Sequence, residues 1–179
     1  MTRDSSRPAG LAFLLLAALV VAAAVAGCAG AADNNDNVNQ TRNAYVHAYS
    51  AGMAWHAAAQ ASFNSGTQSW EAGDFPAAIA DYTSAGQNYS QAAKDYLIMA
   101  RYARGAQEKE FADSLKGCAF NLSAASGNFA NAAIDMLQNN STTAYGWYTQ
   151  GQADVDASEA WLNRSIETTP GWLAALASG

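Results

Sequence analysis

The side chains able to do chemistry are few in this chain of 179 residues: two histidines, two cysteines and fifteen carboxylates. His47 and His56 stand nine residues apart. On a helix that is half a turn beyond two full circles, so the rings point to opposite faces and cannot share a metal. His56 falls in line with Tyr49, Phe63 and Trp70, which predicts a partly buried, hydrogen-bonded histidine. No Glu-x-x-His pair and no Cys-x-x-Cys-His is present, so a di-iron bundle and covalently attached haem both lack their ligands. Asp33-Asn34-Asn35-Asp36-Asn37 begins like a calcium loop, but Val38 stands where glycine is needed and Ala44 where a bidentate glutamate is needed.

Cys118 lies on an apolar helical stripe with no histidine near it in sequence. It reads as a small buried residue rather than an activated thiol. Glu108, Glu110 and Asp113 open one predicted helix, and Asp154, Asp156 and Glu159 lie along another; both groups read as solvated acidic faces. No glycine-rich phosphate loop or nucleophile elbow occurs. The expectation is a protein that is not an enzyme and holds no cofactor or metal.

Aromatic residues are the less ordinary feature. Trp147, Trp161 and Trp172 lie off the main line of the last predicted helix and are candidates for a partner surface. Trp172 with Leu173 and Leu176 forms an apolar tail that either caps a helix bundle or touches a membrane. Six Asn-x-Ser/Thr sequons occur, at Asn39, Asn88, Asn121, Asn139, Asn140 and Asn163. Asn139 and Asn140, at a predicted turn, are the best candidate glycan acceptors.

The elements that position these residues follow from periodicity. The chain is 50% hydrophobic and 13% charged, and 43 of its residues are alanine. That composition argues for helix and against a disordered acidic tail. The net charge of −6 gives no footprint for nucleic acid. Phe75, Ala78, Tyr82, Ala85, Tyr89, Ala92, Tyr96, Met99 and Ala103 recur in steps of three and four, a heptad stripe on one helix face. Phe111 to Met136 and Ala144 to Ser165 carry similar stripes, and a wider apolar face runs from Tyr45 to Trp70. Breaks at Gly73-Asp74, Gly105, Asn139-Asn140-Ser141 and Thr169-Pro170-Gly171 delimit predicted helices at 38–72, 75–104, 106–138 and 141–168, with Ser141 or Thr142 as the last cap. Gly127-Asn128 is a predicted weak point in the third. Long helices with short connections predict an all-α, up-down-up-down four-helix bundle. Small residues on the seams predict that rings of one helix cover small residues of the next.

Ahead of the bundle, Arg3 and Arg7 precede sixteen apolar residues from Leu11 to Ala26, and then Val25-Ala26-Gly27-Cys28. This is the layout of an export signal, and its end resembles the lipobox of prokaryotic lipoproteins. The resemblance implies cleavage before Cys28 and lipidation, such as palmitate, on that residue. The rival is an uncleaved signal anchor, since no charge falls from Pro8 to Ala32. Both expectations place the remaining chain outside the cytoplasm. The domain reading is thus 1–27 signal peptide, 28–37 lipidated cysteine and polar tether, 38–168 bundle and 169–179 tail.

A second resemblance rests on Gly73, Phe75, Ala78, Tyr82 and Ala85, which look like the second half of a tetratricopeptide repeat and imply packing roles. Nothing comparable recurs 34 residues later, as a solenoid requires. The functional expectation is a lipid-anchored, extracytoplasmic module of the cell membrane that binds a protein partner in the cell envelope or serves as a scaffold. The alternative is a bundle that carries or senses a small apolar or aromatic ligand.

Overall fold

The computed structural model describes residues 35–177. Cys28, the apolar segment before it and the first part of the tether lie outside these residues. Four long helices follow one another: α1 (Asn35–Glu71), α2 (Phe75–Arg101), α3 (Ala106–Leu137) and α4 (Ser141–Thr168), with a short α5 (Gly171–Ala177) behind Pro170. The chain is an all-α bundle with close packing of consecutive helices. α1 begins at Asn35, so the last residues of the predicted tether are already helical.

The turns show why the helices stop. Gly73 takes φ +75, a left-handed conformation that costs glycine little. Asp74 then caps α2 by accepting a hydrogen bond from the Ala77 amide at 3.1 Å, with Pro76 in the first turn where no amide is needed. Between α3 and α4, Asn139 takes φ 60 and Asn140 occupies the cap position instead of Ser141 or Thr142. The Asn140 side-chain oxygen is turned to Thr143 Oγ1 at 3.1 Å rather than to the backbone.

α2 packs between α1 and α3, and α4 packs on α3. Two of the three tight seams use the predicted pairing of rings with small residues, whereas at the α2/α3 seam small residues meet small ones, Gly86 against Ser123 and Ser126. Tyr96 and Tyr82 of α2 lie on Gly52 and Gly66 of α1, and across the α3/α4 seam Trp161 lies on Gly117 and Phe129 on Gly151. α1 and α4 do not approach closely through their backbones. They meet through rings instead: Trp70 stacks on Tyr148 at 5.6 Å, and Phe129 stands at 5.6 Å from Phe63 and 5.3 Å from Tyr148.

The core has two parts. One, around Tyr82, Tyr89, Leu122 and Phe129, fills the half near the α1/α2 and α3/α4 turns. The other, around Tyr45, Tyr96, Met99 and Phe111, fills the half where α1 begins, and Leu173 of α5 closes it. Leu173 and its neighbour Trp172 thus cap the bundle end.

Gly127 does not break α3, which is continuous from Ala106 to Leu137. The residue is exposed, and a Cβ added there meets nothing within 4 Å. Gly127→Ala is therefore expected to stabilise the protein by about 0.5–1 kcal/mol, from helix propensity and a less flexible unfolded chain. A urea titration followed by circular dichroism checks it; a loss of stability would mean that the glycine serves a contact.

Candidate functional site

Three places hold the residues singled out by type. The first is the set of buried polar side chains inside the core. His56 is buried and meets the Tyr89 ring edge-on at 5.1 Å. Among the described residues neither of its ring nitrogens has a hydrogen-bond partner, and neither does the buried Ser114 Oγ. The predicted hydrogen bond is thus absent, because apolar and aromatic side chains surround this turn of α1. Burial pushes the His56 pKa down to about 4 and the Cys118 thiol up to about 12. At neutral pH one is an uncharged imidazole and the other an intact thiol, so neither arms the other for nucleophilic chemistry. Burial also raises Tyr89 and Tyr96 above the ordinary phenol range. His47 is exposed on the opposite face of α1. Among the described residues no three His, Cys, Asp or Glu side chains come together as metal ligands.

The second place is the set of tryptophans. Trp161 is 40% exposed, with its ring seated on Gly117 of α3. Trp172 donates its Nε1–H to Glu108 Oε1 at 2.9 Å, stands edge-on to Tyr45 at 5.7 Å and lies under the Arg42 guanidinium at 4.3 Å. That arrangement ties α5 to the starts of α1 and α3, with a cation–π contact over the ring. Trp147 keeps an exposed face on α4, and Tyr145, two residues before it and so on a different face of the helix, is 73% exposed. Trp147 and Trp161 lie fourteen residues apart, about 21 Å along the helix, so the three rings do not form one surface. Asn139 and Asn140 are exposed at the α3/α4 turn.

The third place carries no residue singled out from the sequence. A shallow groove of about 470 Å³ runs along the outer side of the α2/α3 pair, with Ala93, Lys94 and Leu97 on one wall and Lys116, Phe120 and Ala124 on the other. Leu97 and Phe120 lie off the heptad lines of their helices, each within four residues of a lysine. That offset was the available signal. The groove sits in the half of the bundle that holds every cation after residue 28: Arg42, Lys94, Arg101, Arg104, Lys109, Lys116 and Arg164. No lysine or arginine falls between residues 43 and 93 or between 117 and 163, so the far half of both hairpins carries carboxylates alone. Tyr45 O–H donates to the Glu108 carbonyl at 3.0 Å, which fixes the start of α1 at the cationic end.

No protein family, curated protein or solved structure matches this chain. Among the described residues no helix is long and apolar enough to cross a membrane.

Proposed function

We propose that this protein is a helical module tethered to the cell membrane at Cys28, on the extracytoplasmic side, and that it presents its far end to a protein partner in the envelope. The sequence before α1 supports the tether: a basic start, sixteen apolar residues and a lipobox-like Val25-Ala26-Gly27-Cys28. The observation that carries the partner reading is the character of the end opposite the start of α1. There Leu137 and Tyr145 stand exposed on either side of the α3/α4 turn, with Trp147 and Ile134 close by in sequence. Large exposed aromatic residues are the usual anchors of protein interfaces. The nearby Asp135, Glu71 and Asp74, with no lysine or arginine between residues 117 and 163, favour a partner that brings positive charge.

The carrier alternative has less support. Phe63, Tyr82, Phe129, Tyr148 and Trp70 contact one another at ring distances of 5.3 to 5.6 Å, so these rings satisfy each other rather than face a ligand. A photoreactive phenylalanine at position 145 is expected to give one discrete protein adduct in native membranes, and none at the exposed Gln87 on the outer face of α2. The same set of adducts at both positions would sink the reading. Mass spectrometry of the mature amino terminus tests the tether, and an intact Met1 would remove the lipobox.

A further inference from the structure

The groove on the outer α2/α3 face belongs to a larger cationic and apolar surface. Lys94, Leu97 and Arg101 follow one another at steps of three and four on α2, and Lys109, Asp113, Lys116 and Phe120 at steps of four, three and four on α3. Each set therefore lies on one helix face, and both faces border the groove through Lys94, Leu97, Lys116 and Phe120. Four cations stand against one carboxylate there, in a chain of net charge −6. Asp113 is shared by Lys109 and Lys116, while Lys94 and Arg101 have no carboxylate partner among the described residues. Phe120 is 67% exposed and Leu97 41%.

We propose that this face docks on a bilayer surface containing anionic phospholipid. Large apolar side chains standing singly among long cationic ones match the boundary between headgroups and acyl chains. The lysine and arginine heads meet phosphates while Phe120 and Leu97 enter below them. A second copy presenting the same face does not fit, because the surface would oppose its own positive charge. Position argues the same way. The seven steps from Cys28 to Asn35 reach at most ~25 Å, so a tether at Cys28 holds this end of the bundle beside the bilayer. In that respect the inference rests on the tether reading. The far half, bearing carboxylates and no cation, is repelled by the same surface and stands away from it.

The test uses the full chain with a photoreactive phenylalanine at position 120, or at 145 as control, mixed with phosphatidylcholine vesicles with or without phosphatidylglycerol. Flotation with neutral vesicles reports the tether, and lipid adducts at position 120 report docking. With phosphatidylglycerol, adducts at 120 are expected to exceed those at 145 severalfold and to fall as salt is raised. Lys94→Glu with Arg101→Glu, both at exposed positions, should cut the yield at 120 roughly tenfold or more, leaving flotation and helicity unchanged. Failure to float with neutral vesicles, together with adducts at 120 on anionic ones, overturns the tether and upholds docking. Equal yields at 120 and 145, or equal yields in neutral and anionic vesicles, overturn docking. So does a protein adduct in place of lipid at 120 in native membranes, which would mark an acidic protein as the occupant.

Discussion

His56→Phe is expected to make the protein more stable at neutral pH and to remove most of its loss of stability in mild acid. The imidazole of His56 is buried with two unpartnered nitrogens. A buried polar group without a partner costs about 1–3 kcal/mol, and an apolar ring of similar shape avoids that cost while keeping the edge contact with Tyr89. A gain of about 1–2 kcal/mol is expected near pH 7. The pH dependence follows from burial, which lowers the histidine pKa from 6.5 to about 4 in the folded protein. Above pH ~6.5 the ring is neutral in both folded and unfolded chains and contributes no slope. Below that, the unfolded chain takes up a proton that the folded one refuses, so stability falls as pH falls towards about 4. The slope approaches about 1.4 kcal/mol per pH unit, for a total of about 3 kcal/mol. Urea unfolding of both proteins across this window measures the difference. Parallel curves for the wild type and His56→Phe would show that the imidazole reaches water or a partner when folded.

How far the fold and the site could be read from sequence depends on whether local pattern or distant neighbours decide. The α2 stripe was legible because its steps of three and four carry Tyr and Ala in strict alternation, and Ala78 through Met99 are buried as expected. α1 was harder, because its apolar face is wide and its edges are not marked in the sequence. Tyr45, Ala48, Met53, His56 and Ala59 are all buried, yet Trp55 on the same wide face is exposed. Where that face ends depends on where α2 lies, and no residue of α1 encodes that. His56 shows the same limit: periodicity placed it inside, but the lack of a partner is a property of the side chains arriving from α2 and α3. Trp161 and Trp172 were legible as being off the main stripe. Their contacts with Gly117 and Glu108 come from segments more than forty residues away. The cationic face was the least legible. It exists only because the end of α2 and the start of α3 fold side by side, bringing together lysines and arginines that look sparse along the chain.

Gly52→Ala and Gly117→Ala are expected to differ sharply, although an added Cβ meets a ring at almost the same distance in each. The Cβ would stand 2.5 Å from Tyr96 at position 52 and 2.6 Å from Trp161 at position 117. Both changes gain about 1 kcal/mol of helix propensity, so the outcome depends on whether the ring can yield. Tyr96 is fully buried and donates its O–H to Met53 Sδ at 3.2 Å. Moving it would break that bond and disturb the part of the core closed by Leu173. Overpacking of this kind costs about 1–3 kcal/mol, and a hydrogen bond left unmade adds about 1 kcal/mol. Gly52→Ala should therefore lose about 1–3 kcal/mol net. In a protein of this size that is a fall in Tm of about 2–4 °C per kcal/mol. Trp161 is 40% exposed and can tilt towards solvent, so Gly117→Ala should fall within about 1 kcal/mol of the wild type. The open position Gly127 sets the scale for propensity alone. If Gly52→Ala proved as mild as Gly117→Ala, the α1/α2 seam would have to open as a unit. The distance between helix axes, rather than the fixed ring of Tyr96, would then be the soft coordinate of the bundle.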